Sequence, residues 1–226
     1  MLNSNAVSVG LVDSGFNATA QQTVIAAQQF ALSPEASSVM VTDVQPDHLG
    51  HGTALANTIL QQAPQTTLCI AQVFNQDWAT SAAQVASAID WLVMREVRLI
   101  NLSLGLQQDR RILREACERA INAGVILVAS TPAQGQSVYP AHYPGVIRAT
   151  GDARCDFEQI SWLDTPQADF GAYVRTHNNK VVGASAGAAH LSGHIARCLC
   201  EHPQANQQWV QQHLQTLASF HGQERR

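Results

Sequence analysis

The chain has 226 residues, enough for one sizeable hydrophobic core, so we expect a single domain over residues 1–226. Hydrophobic residues make up 46% of the sequence, charged residues only 13%, and the formal net charge is −4. Because the sequence contains no basic patch or basic run, nucleic acids and anionic membranes are poor candidates for partners.

The cysteines and the N-terminal sequence indicate in which cellular compartment the protein is expected. Five scattered cysteines, an odd number, argue against a disulfide framework and for a reducing environment. The opening MLNSNAVSVGLVDSG has no basic region and an acid in its short apolar stretch, so it predicts a strand rather than a signal peptide. No segment is apolar for long enough to cross a bilayer. We therefore expect a cytoplasmic protein that does not bind membranes.

Apolar, β-branched runs predict buried strands, with helix-period stretches between them. The predicted strands cover residues 6–12, 37–43, 67–74, 97–104, 124–130 and 145–151. The predicted helices cover residues 18–31, 52–62, 81–96 and 107–122. This alternation predicts an α/β fold with a doubly wound, mostly parallel sheet and helices on both faces. Ligands of such folds bind beyond the carboxyl ends of the strands.

The last third of the chain has a different pattern. Residues 172–183 predict a hairpin that turns at Asn178 and Asn179, followed by a helix rich in small residues. A final helix is predicted over residues 205–220, with one face formed by Trp209, Val210, Leu214, Leu217 and Phe220.

The segment HLGHGTALAN places His51 between two glycines at the start of a predicted helix. The glycines leave the imidazole uncovered. The partial positive charge of a helix N-terminus disfavours the imidazolium form, so we expect a neutral ring that accepts a proton near pH 7, as a general base must. The alternative is a turn histidine that only caps its helix. We interpret the neighbouring His48 as a solvated loop residue.

Two further residues lie where the predicted sheet opens into its ligand crevice. Asp13 closes the first strand, and Ser185 follows Gly183 at the start of a helix, where a developing oxyanion can be stabilised. Each has an ordinary alternative, because an Asp before Ser-Gly forms turns and a Ser caps helices.

Five motifs occur in this order along the chain: VGLVDSG, GHGTALA, INLSLG, VYPAHYPGVI and GASAGAAHLSG. In this order they resemble the Asp motif, His motif, substrate-binding strand, family loop and Ser motif of the subtilisin-like serine peptidases. The resemblance covers about residues 6–200. It implies the fold of that family, with Ser185 as the nucleophile, His51 as its base and Asp13 as the carboxylate that orients the imidazole.

The resemblance also implies a peptide-binding region. A bound peptide would pair as a strand with Leu102, Ser103, Leu104 and Gly105. The opposite rim would be formed by Ala79, Thr80 and Ser81.

His190 matches a histidine that the family keeps in the helix behind the nucleophile, and we interpret it as structural. With His194 and Cys198 it falls at i, i+4 and i+8, a spacing that also suits a metal site. Because no carboxylate or CxxC pair accompanies these residues, we predict no metal there.

The sequence departs from the family pattern at the oxyanion hole. Ala133 stands where the family has its oxyanion-hole Asn, and Ala184 stands where a Thr usually precedes the nucleophile. Loss of one such donor lowers turnover about 100- to 1,000-fold. The backbone N–H of Ser185 remains, and Gln134 or Thr131 could supply a replacement donor.

These observations predict a serine endopeptidase that acts on one precursor peptide or partner protein, since an unspecific protease would harm its own cell. We expect no N-terminal propeptide, because the first predicted strand lies almost at the start of the sequence. We expect no calcium site and no other cofactor, because the loops are short and lack an acidic cluster. The alternative is a pseudoprotease that binds an extended peptide without cleaving it. Ala133 and Ala184 favour that alternative, whereas the three intact triad residues favour the enzyme.

Overall fold

The computed structural model describes residues 6–17, 24–76 and 78–224. Within these ranges ten strands form one sheet, and five α-helices accompany it. The strands are β1 (Ser8–Asp13), β2 (Val24–Leu32), β3 (Val39–Thr42), β4 (Thr67–Gln72), β5 (Leu99–Leu102), β6 (Ile126–Ser130), β7 (Ile147–Gly151), β8 (Ile160–Trp162), β9 (Phe170–Ala172) and β10 (Phe220–His221). The helices are α1 (His51–Gln62), α2 (Ala82–Met94), α3 (Arg111–Asn122), α4 (Ala184–Glu201) and α5 (Gln207–Leu217).

The strands lie in the order β10-β8-β9-β7-β6-β5-β1-β4-β2-β3. Neighbours are parallel except for β2 with β3 and β8 with β9. The central strands β5 and β6 are buried along their whole length, which explains their continuous apolar sequences. The predicted α/β fold class, a doubly wound and mostly parallel sheet with helices on both faces, is confirmed.

Two apolar layers form the core. On one face, α1 and α4 pack over side chains of the central strands such as Leu11 and Val128. On the other face, α2 and α3 pack over Val12, Ile100 and Leu127. Alternate residues of the same strands thus enter opposite layers, as the pleat requires.

The sheet places its crevice at the carboxyl end of β1. This strand lies between β4 and β5, and the chain builds outward from it in both directions. Such a switch point is where α/β sheets open to ligands. Asp13 is the last residue of β1 and pairs with Gln72 of β4.

The helix predicted over residues 18–31 is wrong over the part that the structure describes. Residues 24–32 form strand β2, while residues 18–23 lie outside the described residues. Ala and Gln favour a helix locally, but β2 pairs with β4 on one side and β3 on the other, and Phe30 is buried. These long-range backbone pairings outweigh the local preference.

The C-terminal third also differs from the prediction. The final helix covers Gln207–Leu217 instead of residues 205–220, and Phe220 belongs to the short strand β10, which pairs with β8. Of the predicted apolar face only Val210 and Leu214 are buried, while Trp209 and Leu217 are exposed. Strands β8 and β9 were not predicted, because three residues are too few for a periodic signal.

Candidate functional site

Asp13 and His51 form the centre of the candidate site. The Asp13 side chain is fully buried, and its Oδ1 lies 2.8 Å from Nδ1 of His51. The same oxygen accepts hydrogen bonds from the backbone N–H of Ser14 at 2.7 Å and from its hydroxyl at 3.2 Å. Because an ionised carboxylate only accepts hydrogen bonds, the neutral ring of His51 carries its proton on Nδ1 and leaves Nε2 free to accept another.

The pKa of His51 is raised above its ordinary value of 6.5. Burial opposes the charged ring, but the hydrogen bond to Asp13 and the negative charges of Asp13 and Asp47 outweigh that effect. The prediction that the helix N-terminus keeps the ring neutral is therefore wrong in sign. A raised pKa makes the imidazole a stronger base toward a hydroxyl proton.

Asp47, which the sequence analysis did not single out, holds the start of α1. Its buried carboxylate accepts hydrogen bonds from the backbone N–H of Gly50 at 2.7 Å and of Thr53 at 2.8 Å. It also accepts from the hydroxyls of Ser14 at 2.8 Å and Thr53 at 2.6 Å. Asp47 thus satisfies free N–H groups at the helix N-terminus and fixes His51 relative to the Asp13 loop. An Asp five residues before the helix predicted over residues 52–62 is the signal that could have found it.

The glycines on both sides of His51 have separate roles. Gly50 adopts a left-handed conformation with φ 66°, which turns the chain into α1. A β-carbon on Gly52 would collide with the backbone oxygen of Gly15, so only glycine lets α1 approach the loop after β1 this closely.

Ser185 is the second residue of α4, behind Gly183 as N-cap, and it is half-buried. It is therefore not itself a capping serine. Its backbone oxygen accepts a hydrogen bond from the Ser103 hydroxyl at 3.4 Å. Among the hydrogen bonds of the described residues none joins the Ser185 hydroxyl to His51, so the structure directly pairs His51 with Asp13 only.

A buried polar network holds the start of α4 against the sheet. The amide of Asn101, in β5, donates to the Ser103 hydroxyl at 2.9 Å and accepts from the Ser192 hydroxyl at 2.9 Å. All three side chains are buried. Since Ser103 also contacts Ser185, the network joins the end of β5 to the helix that carries Ser185.

The residues predicted to bind a peptide differ in accessibility. Leu102 lies inside the sheet, paired with Val12 and Ala129, and Ser103 and Leu104 are buried. Gly105 is exposed.

On the predicted opposite rim, Ala79 is exposed and Thr80 is half-buried. Ser81 caps α2, because its hydroxyl accepts from the backbone N–H of Gln84 at 3.2 Å.

The predicted oxyanion region lies after β6. Ala133 and Gln134 are exposed and line a cavity of about 490 Å³ together with Gly151 at the end of β7. Thr131 is buried, and its hydroxyl has no hydrogen-bond partner within the described residues. Ala184 is the first residue of α4.

Trp78 is a second feature that the sequence analysis missed. Its side chain is 63% exposed, and its ring stands edge-on to the His51 ring with 5.3 Å between centroids. Phe74 contacts the same indole at 6.3 Å. The signal available in the sequence is a Trp four residues after the strand predicted over residues 67–74.

His190 is buried and fully hydrogen-bonded. Its Nε2 donates to the backbone oxygen of Arg175 at 2.8 Å, and its Nδ1 lies 3.3 Å from the Gln62 amide nitrogen. Across the described ranges, no group of three or more His, Cys, Asp or Glu residues is arranged to hold a metal ion.

No helix in the described part of the chain has the length and apolar character that a membrane crossing requires.

Comparisons with known proteins identify the family of this chain. A family model described as the subtilase family matches residues 4–161, more than half of the chain. This chain belongs to the subtilase family. The matched residues of this subtilase include Asp13 and His51 and end before Ser185.

Curated relatives of this subtilase are proteases. The thermostable alkaline protease of Halalkalibacterium halodurans is 28% identical over 196 residues, which cover 78% of this chain and 54% of that protein. Subtilisin DY of Bacillus licheniformis is 25% identical over 236 residues, which cover 94% of this chain and 84% of that protein. The subtilase thus spans about half the length of the first of these relatives.

Solved structures show the same fold. The S41 psychrophilic protease superimposes with a TM-score of 0.69 at 19% identity, covering 94% of this chain and 83% of its own. The nisin leader peptidase of Lactococcus lactis superimposes with a TM-score of 0.69 at 18% identity, covering 92% of this chain and 82% of its own. At these identities the likeness shows the fold alone. Taken with the family match, the comparisons establish the family and the fold of this chain.

Proposed function

We propose that this subtilase is a serine endopeptidase that hydrolyses peptide bonds with Asp13, His51 and Ser185. The observation that carries the proposal is the 2.8 Å contact between Asp13 Oδ1 and His51 Nδ1 at the carboxyl end of β1. It supports a role for Asp13 in fixing the tautomer of His51 and stabilising the imidazolium that forms during the reaction.

In the proposed reaction, His51 carries a proton from Ser185 to the leaving nitrogen of the substrate. His51 Nε2 takes the hydroxyl proton of Ser185 as the serine oxygen attacks the substrate carbonyl carbon, and a tetrahedral oxyanion forms. His51 then gives the proton to the leaving nitrogen, the C–N bond breaks, and an acyl-enzyme remains. Water hydrolyses the acyl-enzyme by the same proton transfers and regenerates Ser185.

The proposed oxyanion site relies on the N-terminus of α4. The backbone N–H of Ser185 lies in the first turn of this helix, where the N–H groups have no partner within the helix. Ala133 offers no side-chain donor, and the exposed amide of Gln134 borders the same region. We therefore propose Gln134, ahead of the buried Thr131, as the replacement donor.

We further propose a cytoplasmic location and a narrow range of peptide or protein substrates. The location is supported by the five cysteines, which are all free and of which four are buried. Narrow specificity follows from the location, because an unrestricted protease would damage other proteins of its cell.

The proposal is tested by hydrolysis of a library of internally quenched peptides. The wild-type protein is expected to cleave members of the library, and Ser185→Ala and Asp13→Asn are expected to lower kcat/KM at least about a thousandfold. The matched control is Ser219→Ala, which removes an exposed hydroxyl outside α4 and outside the triad. Equal cleavage by wild type and Ser185→Ala would overturn the proposal.

The second candidate function is a peptide-binding pseudoprotease. It is favoured by Ala133 and by the lack of a hydrogen bond between the Ser185 hydroxyl and His51 among the described residues. It predicts that extended peptides bind with the same affinity to wild type and Ser185→Ala while neither protein cleaves them.

A further inference from the structure

A basic hairpin lies beside the candidate site and has no role in the proposed triad. It comprises residues 174–183 and leads directly into α4. The backbone N–H of Thr176 donates to Val181 O at 3.0 Å, and that of Gly183 donates to Val174 O at 2.7 Å. The hairpin carries two permanent cations, Arg175 and Lys180, and no acidic residue, in a chain whose net charge is −4.

Lys180 extends from this hairpin over the start of α1. It is the only lysine in the sequence. Its ammonium nitrogen occupies the space that a β-carbon on residue 50 would fill, so the glycine at this position makes room for the lysine as well as for the turn. The positive charge is thereby held beside the backbone of the residue that precedes His51.

The charge of Lys180 has no ion-pair partner within residues 6–17, 24–76 and 78–224. The carboxylate closest in sequence to Gly50 is that of Asp47, which is buried and already accepts hydrogen bonds from Gly50, Ser14 and Thr53. Lys180 itself is exposed. An anion that approaches the site from solvent can therefore reach it.

The proposed reaction determines which half of a substrate passes Lys180. His51 must deliver its proton to the leaving nitrogen, so the segment that follows the cleaved bond has to run next to His51. Residues 79–81 and 102–105, which are predicted to bind the peptide, belong to other parts of the chain. Lys180 is held beside the residue that precedes His51, so the basic hairpin borders the path of the leaving segment.

We propose that Lys180 binds a carboxylate of the substrate within the first three residues after the cleaved bond. The inference rests on the proposed function and adds a substrate class to it: peptides that are acidic directly after the cleavage site. The carboxylate is either an Asp or Glu side chain or the C-terminal carboxylate of a short leaving segment. An extended residue advances the chain by about 3.3 Å, which brings these positions within reach of a lysine side chain.

The expected effect is modest and depends on salt. A solvent-exposed ion pair of this kind corresponds to about a three- to fivefold preference at low ionic strength. Because exposed charges are screened at high salt, the preference should disappear near 1 M salt, where the Debye length is about 3 Å.

The test compares kcat/KM for peptide pairs that differ only by Glu or Gln at the first, second or third position after the cleaved bond. A further pair with Gln at all three positions ends in either a free carboxylate or an amide, which separates the two sources of the carboxylate. Wild type is expected to prefer the acidic member of at least one pair about three- to fivefold. Lys180→Met should abolish the preference, Lys180→Arg should retain it, and Lys180→Glu should instead favour Lys over Gln at the same position.

The matched control is Arg111→Gln, which removes one exposed positive charge on α3 and should leave the preference unchanged. Cleavage without an acidic preference, or a preference that survives in Lys180→Met, overturns the inference and leaves the proposed peptidase intact. If no peptide is cleaved, the proposed function fails. Fluorescently labelled versions of the same peptides are then titrated with Ser185→Ala, and their binding, measured by fluorescence anisotropy, decides the inference. Lys180-dependent preference for the acidic peptides would support it, and equal binding would overturn it.

Discussion

At His51, two carboxylates act on one imidazole. Asp13 binds Nδ1 directly, while Asp47 acts through its charge and through the start of α1. The segment that contains His51 indicated a base, but the sequence could not show that the carboxylates of Asp13 and Asp47 would together raise the pKa of His51 against the expected influence of the helix N-terminus. The distance between these carboxylates and the imidazole depends on how residues 47–53 fold against the end of β1.

The raised pKa of His51 predicts the pH dependence of the enzyme. Since the base must be neutral to accept the serine proton, kcat/KM should rise with pH through a midpoint above 6.5, the ordinary value. Asp47→Asn removes one negative charge and should move the midpoint down. The pH profile of peptide hydrolysis measures both, and a wild-type midpoint below 6.5 would contradict this description of the site.

A second residue-scale prediction concerns the oxyanion site. Ala133→Asn should supply a donor and raise kcat up to about a hundredfold with little change in KM, because the oxyanion exists only in the transition state and intermediate. Gln134→Ala should lower kcat, because it removes the proposed replacement donor. Unchanged kcat in both variants would contradict the assignment of this region.

At the scale of elements, the approach of α4 to the sheet depends on one glycine. A β-carbon on Gly187 would collide with the backbone of Thr150 and Gly151, which cannot move as a flexible side chain could. Gly187→Ala should therefore lower the free energy of unfolding by about 1–3 kcal/mol. Glu201→Ala is the control on the same helix, since its side chain is exposed and the change should cost about 0.5 kcal/mol or less. Urea unfolding measures both, and equal losses would contradict this account of the packing.

Elements with a long periodic pattern could be predicted from sequence. The buried strands β1 and β4 to β7 and helices α1 and α2 lie where their patterns placed them, with ends shifted by a few residues. Strand β2 could not be predicted, because its Ala and Gln residues favour a helix locally. The strand forms because β3 and β4 supply backbone hydrogen bonds from other parts of the chain. The same reason applies to the site: Asp13 and His51 have sequence signatures, whereas the contacts of Trp78 and Lys180 exist only after folding.

For the whole molecule, two buried histidines predict sensitivity to acid. Burial and the charge of Arg197 lower the pKa of His194 to about 4, and burial lowers the pKa of His190. The unfolded chain takes up protons below about pH 6.5 that the folded chain accepts only near pH 4, so stability should fall as the pH drops through this window. The loss from His194 is on the order of 3 kcal/mol. His51 has the opposite sign, because its pKa is raised and its contribution is lost as the pH rises.

Urea unfolding between pH 7 and pH 4.5 tests this prediction. Wild type should lose stability steadily over the range, and His194→Gln should show a flatter profile because its side chain does not titrate. A wild-type stability that stays constant down to pH 4.5 would contradict the assignment of a neutral, buried His194.

The most direct test of the central claim is labelling by a fluorophosphonate probe, read by mass spectrometry of the digested protein. The account predicts one labelled peptide, which contains Ser185, and a labelling rate at least about a hundredfold lower in His51→Ala, because a serine hydroxyl needs its base to act as a nucleophile. Circular dichroism would establish that the variant keeps its fold. Labelling of Ser185 at the same rate in wild type and His51→Ala, or no labelling of the wild-type protein, would contradict the account.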